Sequence, residues 1–159
     1  MSEMDRNWLQ NLPKEKLVDL FSLQIKNIWR VDGLYFLGIE ENFGTDAATN
    51  IDRNCWKILA KMEAQDLKDL LELKSNDLES FVAALSATSW ALYQEAKEWE
   101  VKSGKAIYRI TSCRTQKARL KKGVGEFPCK TVRWTYLKEF AKAFNPEIEV
   151  RCIVCPPDE

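Results

Sequence analysis

From Leu17 to Trp99 the apolar residues of this chain recur every three or four positions, and beyond Ser103-Gly104 the rhythm shortens to two. The first spacing lines up one face of a helix and the second one face of a strand. An α+β fold is therefore expected. A mostly helical N-terminal layer over residues 1–102 would pack on a small C-terminal α/β unit with a short sheet over residues 103–159. With 159 residues, 45% of them apolar, the chain has material for one domain with one sizeable core.

After Pro13, which suits a first helical turn, Leu17, Leu20, Phe21, Ile25, Ile28 and Trp29 form an amphipathic stripe that Asp32-Gly33 should interrupt. A short helix is expected from Leu34 to Phe43, with Gly44 ending it. A long helix follows from Thr45, burying Ala48, Ile51, Cys55, Ile58 and Met62. A fourth is expected from Asn76, capped by its side chain with Glu79 reaching back, and burying Leu78, Phe81, Val82, Leu85, Leu92 and Trp99. Ala106–Thr111 and Glu147–Cys152 read as strands. Between them lie a basic helical stretch from Arg114 to Lys122, a turn at Gly123-Val124-Gly125, and a helix from Pro128 to about Phe144 that stops at Asn145-Pro146.

Four of the five cysteines fall in the last third, as Cys113-x15-Cys129-x22-Cys152-x2-Cys155. If the two strands are parallel and joined by a crossover, Cys113, Cys152 and Cys155 close their C-terminal ends, and the connecting helix returns Cys129 to the same edge. The four sulfurs would then meet as one metal-type site. Tetrahedral zinc suits them, with an iron–sulfur cluster as the alternative. The plain alternative is that they are small core side chains. A thioredoxin-type dithiol fits less well, because its motif opens a helix whereas Cys152-x2-Cys155 runs into Pro156-Pro157. Cys55, on the apolar stripe of the long helix, reads as an inert core thiol. Histidine is absent, which excludes every mechanism needing an imidazole base or ligand.

Lysine plus arginine and aspartate plus glutamate both number 24, so no global field draws the chain to nucleic acid or anionic lipid. From Cys113 to Arg133, however, seven cations face one anion, Glu126, a local net charge of +6. That segment could pair with thiolates, or Arg114 and Arg119 could fork a carboxylate. A partner-binding module built on this basic helix is a further alternative. The polar N-terminus lacks the pattern of a secretory signal and no apolar run suits a membrane span, so a cytoplasmic protein is expected. Trp29, Asp32, Tyr35 and Glu40 place carboxylates among aromatics, a candidate small-molecule pocket with Arg114 or Arg119 facing it. The bland reading is that Asp32 caps a helix and Glu40 is solvated.

The motifs Trp29-x-x-Asp32-Gly33-Leu34-Tyr35-Phe36, Glu40 with Gly44 and Ala47, Trp56, Cys113-Arg114-x-Gln116-x-Ala118-Arg119, Phe127-Pro128-Cys129-Lys130 and Cys152-x-x-Cys155-Pro156-Pro157-Asp158 together span nearly the whole chain. In these the chain resembles an uncharacterised family of prokaryotic proteins associated by name with L-2-amino-thiazoline-4-carboxylate hydrolase-like proteins. The resemblance implies shared architecture and motif residues, without a settled activity. The expectation is a metal-binding protein with a structural zinc held by the four cysteines and a small-molecule pocket. The enzymatic alternatives are a hydrolase of small carboxylated substrates and an iron–sulfur redox protein.

Overall fold

The computed structural model describes residues 1–158. Its elements run α1 (Glu3–Gln10), α2 (Lys14–Phe43), α3 (Thr45–Leu70), α4 (Leu78–Ala87), α5 (Ser89–Tyr93), β1 (Ala96–Lys102), β2 (Lys105–Ser112), α6 (Arg114–Lys122) and α7 (Cys129–Phe144). The α+β expectation holds. Among the described residues no helix is long and apolar enough to cross a membrane.

Helix α2 does not break at Asp32-Gly33. A glycine in a helix interior costs about 1 kcal/mol, which neighbouring turns and tertiary packing outweigh. Nor does Asp32 cap: its Oδ1 accepts a hydrogen bond from Trp56 Nε1 at 3.1 Å. The chain turns instead at Gly44, whose φ of +85° an L side chain rarely adopts and whose N–H bonds the Glu40 carbonyl at 2.9 Å. Helix α3 starts immediately after it and packs on α2.

The cap of α4 is Asp77 rather than Asn76: its carboxylate accepts from Ser80 N at 2.8 Å. This helix is shorter than expected. It ends at Ala87, Thr88 caps the short α5, and Trp99 belongs to a strand. Ser103-Gly104 is therefore not a boundary between two units. It is the turn of an antiparallel β1–β2 hairpin with Lys102 opposite Lys105 and Gly104 at φ +70°.

Glu147–Cys152 forms no strand, and the two strands that exist pair only with each other. The alternation there is real, since Ile148 and Val150 pack on the core, but the segment pairs with neither strand. The parallel crossover is consequently absent. The core is organised by α7 against α3, the most extensive helix contact. Tyr136, Phe140 and Val132 of α7 are fully buried, alongside Trp29, Trp56, Trp90 and Phe81.

Candidate functional site

Cys129, Arg133, Tyr136 and Phe140 follow one another at helical spacing on α7, so the inward stripe of this helix carries a cation. Arg133 is 6% exposed. Its guanidinium lies 4.8 Å from the ring centroids of Trp56 and Trp90, 5.2 Å from that of Tyr136 and 5.3 Å from that of Trp29. The cage is itself braced. Trp29 stacks on Trp56 at 4.9 Å and on Tyr93 at 5.1 Å, and its Nε1 donates to the Ser89 carbonyl. Tyr136 donates to Glu63 Oε2 at 2.7 Å, while Glu63 Oε1 accepts from Ser89 N.

These rings surround the guanidinium, and the Cys129 thiol lies beside it. Nε and Nη1 are buried and, among the described residues, have no hydrogen-bond partner. They border a small cavity of about 20 Å³, open at its mouth, whose walls include Trp29, Trp90, Asp32, Cys113 and Cys129. The Oε1 of Gln94, on the same wall, is also buried and unpartnered.

Beside Asp32 lies Asp52, buried on α3, with Oδ2 unpartnered. Burial first, and then the neighbouring Asp32 charge, push the Asp52 carboxyl up to about 7. Burial raises Asp32 as well, against the opposing pull of Arg133. Two carboxyls in one dry pocket resist ionising together, so the pair retains a proton well above the usual carboxylate range.

The thiols reach this place without the strand. The C-terminal tail folds back over the start of α7, where Lys130 N donates to the Pro156 carbonyl at 2.9 Å and Lys130 Nζ pairs with Asp158 at 2.7 Å. Cys155 N in turn donates to Asp158 Oδ2. This latch sets the Cys155 thiol against Cys129. Its hydrogen bond lowers the Cys129 thiol to about 7, burial opposing and Arg133 assisting, while the same contact and burial push Cys155 up. Cys152 is near enough for its charge to act on Cys155, and Cys113 shares the cavity wall with Cys129. Among the described residues, no three cysteine, aspartate or glutamate side chains are placed to hold one metal ion.

Of the residues expected to form a pocket, Trp29 and Asp32 line the cavity, and Tyr35, Glu40, Arg114 and Arg119 do not. Tyr35 is 71% exposed. Glu40 and Arg119 form a buried two-bond fork, at 2.8 and 2.9 Å, and Arg119 also donates to the carbonyls of Val124 and Gly125. That arginine pins α6 to α2 rather than facing a ligand. Arg114 donates from Nε to the Tyr93 carbonyl and faces Glu95. Cys55 is exposed, not a core thiol.

Arg133, Asp52 and Gln94 were not legible as site residues. Arg133 counted only toward the +6 segment. The signal that finds it is its place, one turn after Cys129 on the apolar stripe.

No curated protein and no solved structure matches the chain. The model of a family of unknown function (DUF6125) matches residues 10–159, and the chain belongs to that family.

Proposed function

We propose that this protein binds a small carboxylate-bearing molecule at Arg133. The observation carrying this reading is the pair of buried guanidinium N–H groups without acceptors at a cavity wall. Each such donor costs about 1–3 kcal/mol. Aromatic faces attract the cation but cannot accept its in-plane N–H groups, whereas a carboxylate oxygen can accept from either of the two, which lie on different edges of the guanidinium. An acceptor supplied by a ligand would offset the cost only when the ligand is bound.

The surroundings suit chemistry on such a ligand. Cys129, ionising at about 7, would offer a thiolate beside the anchored carboxylate, and Asp32, which shares a retained proton with Asp52, lines the same cavity. A hydrolase of small carboxylated substrates is the enzymatic form of this reading, and the resemblance to L-2-amino-thiazoline-4-carboxylate hydrolase-like proteins is in keeping with it.

The test is titration with formate and acetate, the smallest carboxylates, followed by tryptophan emission, because three of the six tryptophans touch Arg133. A saturable change that Arg133→Met abolishes is expected. No saturable response from the natural chain at about 10 mM of either acid, a concentration that would reveal affinities of only a few kcal/mol, overturns the reading.

The contact between Cys129 and Cys155 favours a second reading, in which a soft metal binds at the thiols, zinc first and an iron–sulfur cluster next. At least one more of Cys113 and Cys152 would have to join that pair. Elemental analysis and a visible spectrum after anaerobic purification decide it. One zinc without colour supports the zinc form, brown colour with iron the cluster, and neither metal removes both.

A further inference from the structure

Helices α2 and α3 each carry two apolar faces. The inner face of α2 presents Ile25, Trp29 and Phe36 to the core, and that of α3 presents Ala48, Trp56, Ala60 and Ala64. A second stripe on α2 runs through Leu17, Phe21, Ile28, Val31 and Tyr35, with Gln24 and Gly38 at the intervening positions. Its steps alternate between four and three residues, the spacing of a coiled-coil seam. On α3 the steps from Ile51 through Cys55 and Ile58 to Met62 follow the same rule. None of these side chains reaches the core. The eight large apolar ones are between 41% and 71% exposed, and Cys55 is exposed among them.

We infer that this outer seam is the interface of a homodimer, in which the α2–α3 hairpin of one chain packs on that of a second copy. A helix apolar on two faces needs two partners, and the fold supplies only one. The two seams belong to a single hairpin, since α2 and α3 meet at Gly44 and pack together. No charged residue interrupts either seam, so nothing on it calls for an oppositely charged partner. A repeating heptad face is self-complementary about a two-fold axis, which a second copy satisfies. The area agrees. Eight half-exposed side chains offer about 100 Å² each, on the order of 800 Å² per chain, which is one partner's share of a standard interface.

Sedimentation equilibrium of the full chain tests this, over about 1–100 µM so that mass action is visible. The natural sequence is expected at twice the chain mass. Phe21→Asp combined with Ile58→Asp should halve that mass while far-UV circular dichroism stays unchanged, both side chains being exposed. Tyr35→Lys, at a still more exposed site, provides a milder version that keeps the fold and weakens association at least tenfold. Leu120→Asp, an exposed apolar site on α6, should remain dimeric. A natural chain that is monomeric at about 100 µM overturns the inference, even if the same face then binds lipid vesicles or another protein. So does a Tyr35→Lys chain that associates as tightly as the natural one, or a Leu120→Asp chain that dissociates.

Discussion

Arg133→Met separates an arginine kept for a ligand from one kept as a strut. Methionine preserves the unbranched stem and much of the volume, so the exchange removes the guanidinium without opening a large cavity. Two opposing quantities then change. Four ring contacts to a desolvated cation, at about 0.5–2 kcal/mol each, are lost, roughly 2–8 kcal/mol. Two buried N–H groups without acceptors disappear, relieving about 1–3 kcal/mol each. The midpoints of the two ranges, about 5 and about 4 kcal/mol, nearly cancel, so the apo variant is expected within about 2 kcal/mol of the natural chain. Urea unfolding followed by far-UV circular dichroism measures this, with an unchanged m-value as the sign that both states keep their compactness. Carboxylate binding should be lost at the same time. A destabilisation beyond about 6 kcal/mol would refute the reasoning, since that is the largest ring loss with the smallest relief from the two donors.

Gly33→Ala tests why α2 runs unbroken: a Cβ there meets nothing within 4 Å, so the variant should be about 0.5–1 kcal/mol more stable by thermal or urea unfolding. Asp52→Asn addresses the buried carboxyl pair. The folded-state value of Asp52 is raised, so its stabilising contribution is complete below the usual carboxylate range and is lost as pH rises through about 7. The variant should flatten that decline, which could reach about 4 kcal/mol between pH 4 and 7, and equal stability losses in both chains would speak against a proton held there. Cys155→Ala removes the main influence that lowers Cys129, so the pH midpoint of Cys129 alkylation, followed by peptide mass spectrometry, should rise from about 7. An unmoved midpoint would mean that the latch does not set the thiol.

Much of the architecture could be read from periodicity, and its failures share one cause. Period three-and-four reports that a helix has an apolar face without saying which face turns inward. The stripe Ile51, Cys55, Ile58 and Met62 is the clearest case: it is regular, it marks the helix correctly, and it lies on the outside. What fills the inward face of α3 is small or polar, Ala48, Thr49, Asp52, Ala60 and Ala64 around Trp56. These residues let α7 approach closely and leave little hydrophobic signal. Likewise Glu147–Cys152 alternates as a strand does, and Ile148 and Val150 do pack on the core, but alternation reports which side chains turn inward and not whether the backbone pairs.

The site was hidden by the same limit applied to charge. An arginine in a basic segment looks solvated, and most are. Arg133 differs because the residues at its helical neighbours, Cys129, Tyr136 and Phe140, all point into the core, so the chain cannot bury them without burying it. Three tryptophans from α2, α3 and α5 then surround it, which requires the tertiary fold to be known first. The cysteines show the reverse. Cys113 and Cys129 line one cavity, and Cys155 reaches Cys129 through the Lys130–Asp158 latch and the tail's hydrogen bond to Lys130, not through the crossover that predicted their meeting. A sequence can thus name the right residues through the wrong geometry. That geometry decides the chemistry, because a strand edge would have offered four convergent sulfurs, whereas the latch offers one activated thiol beside a buried cation.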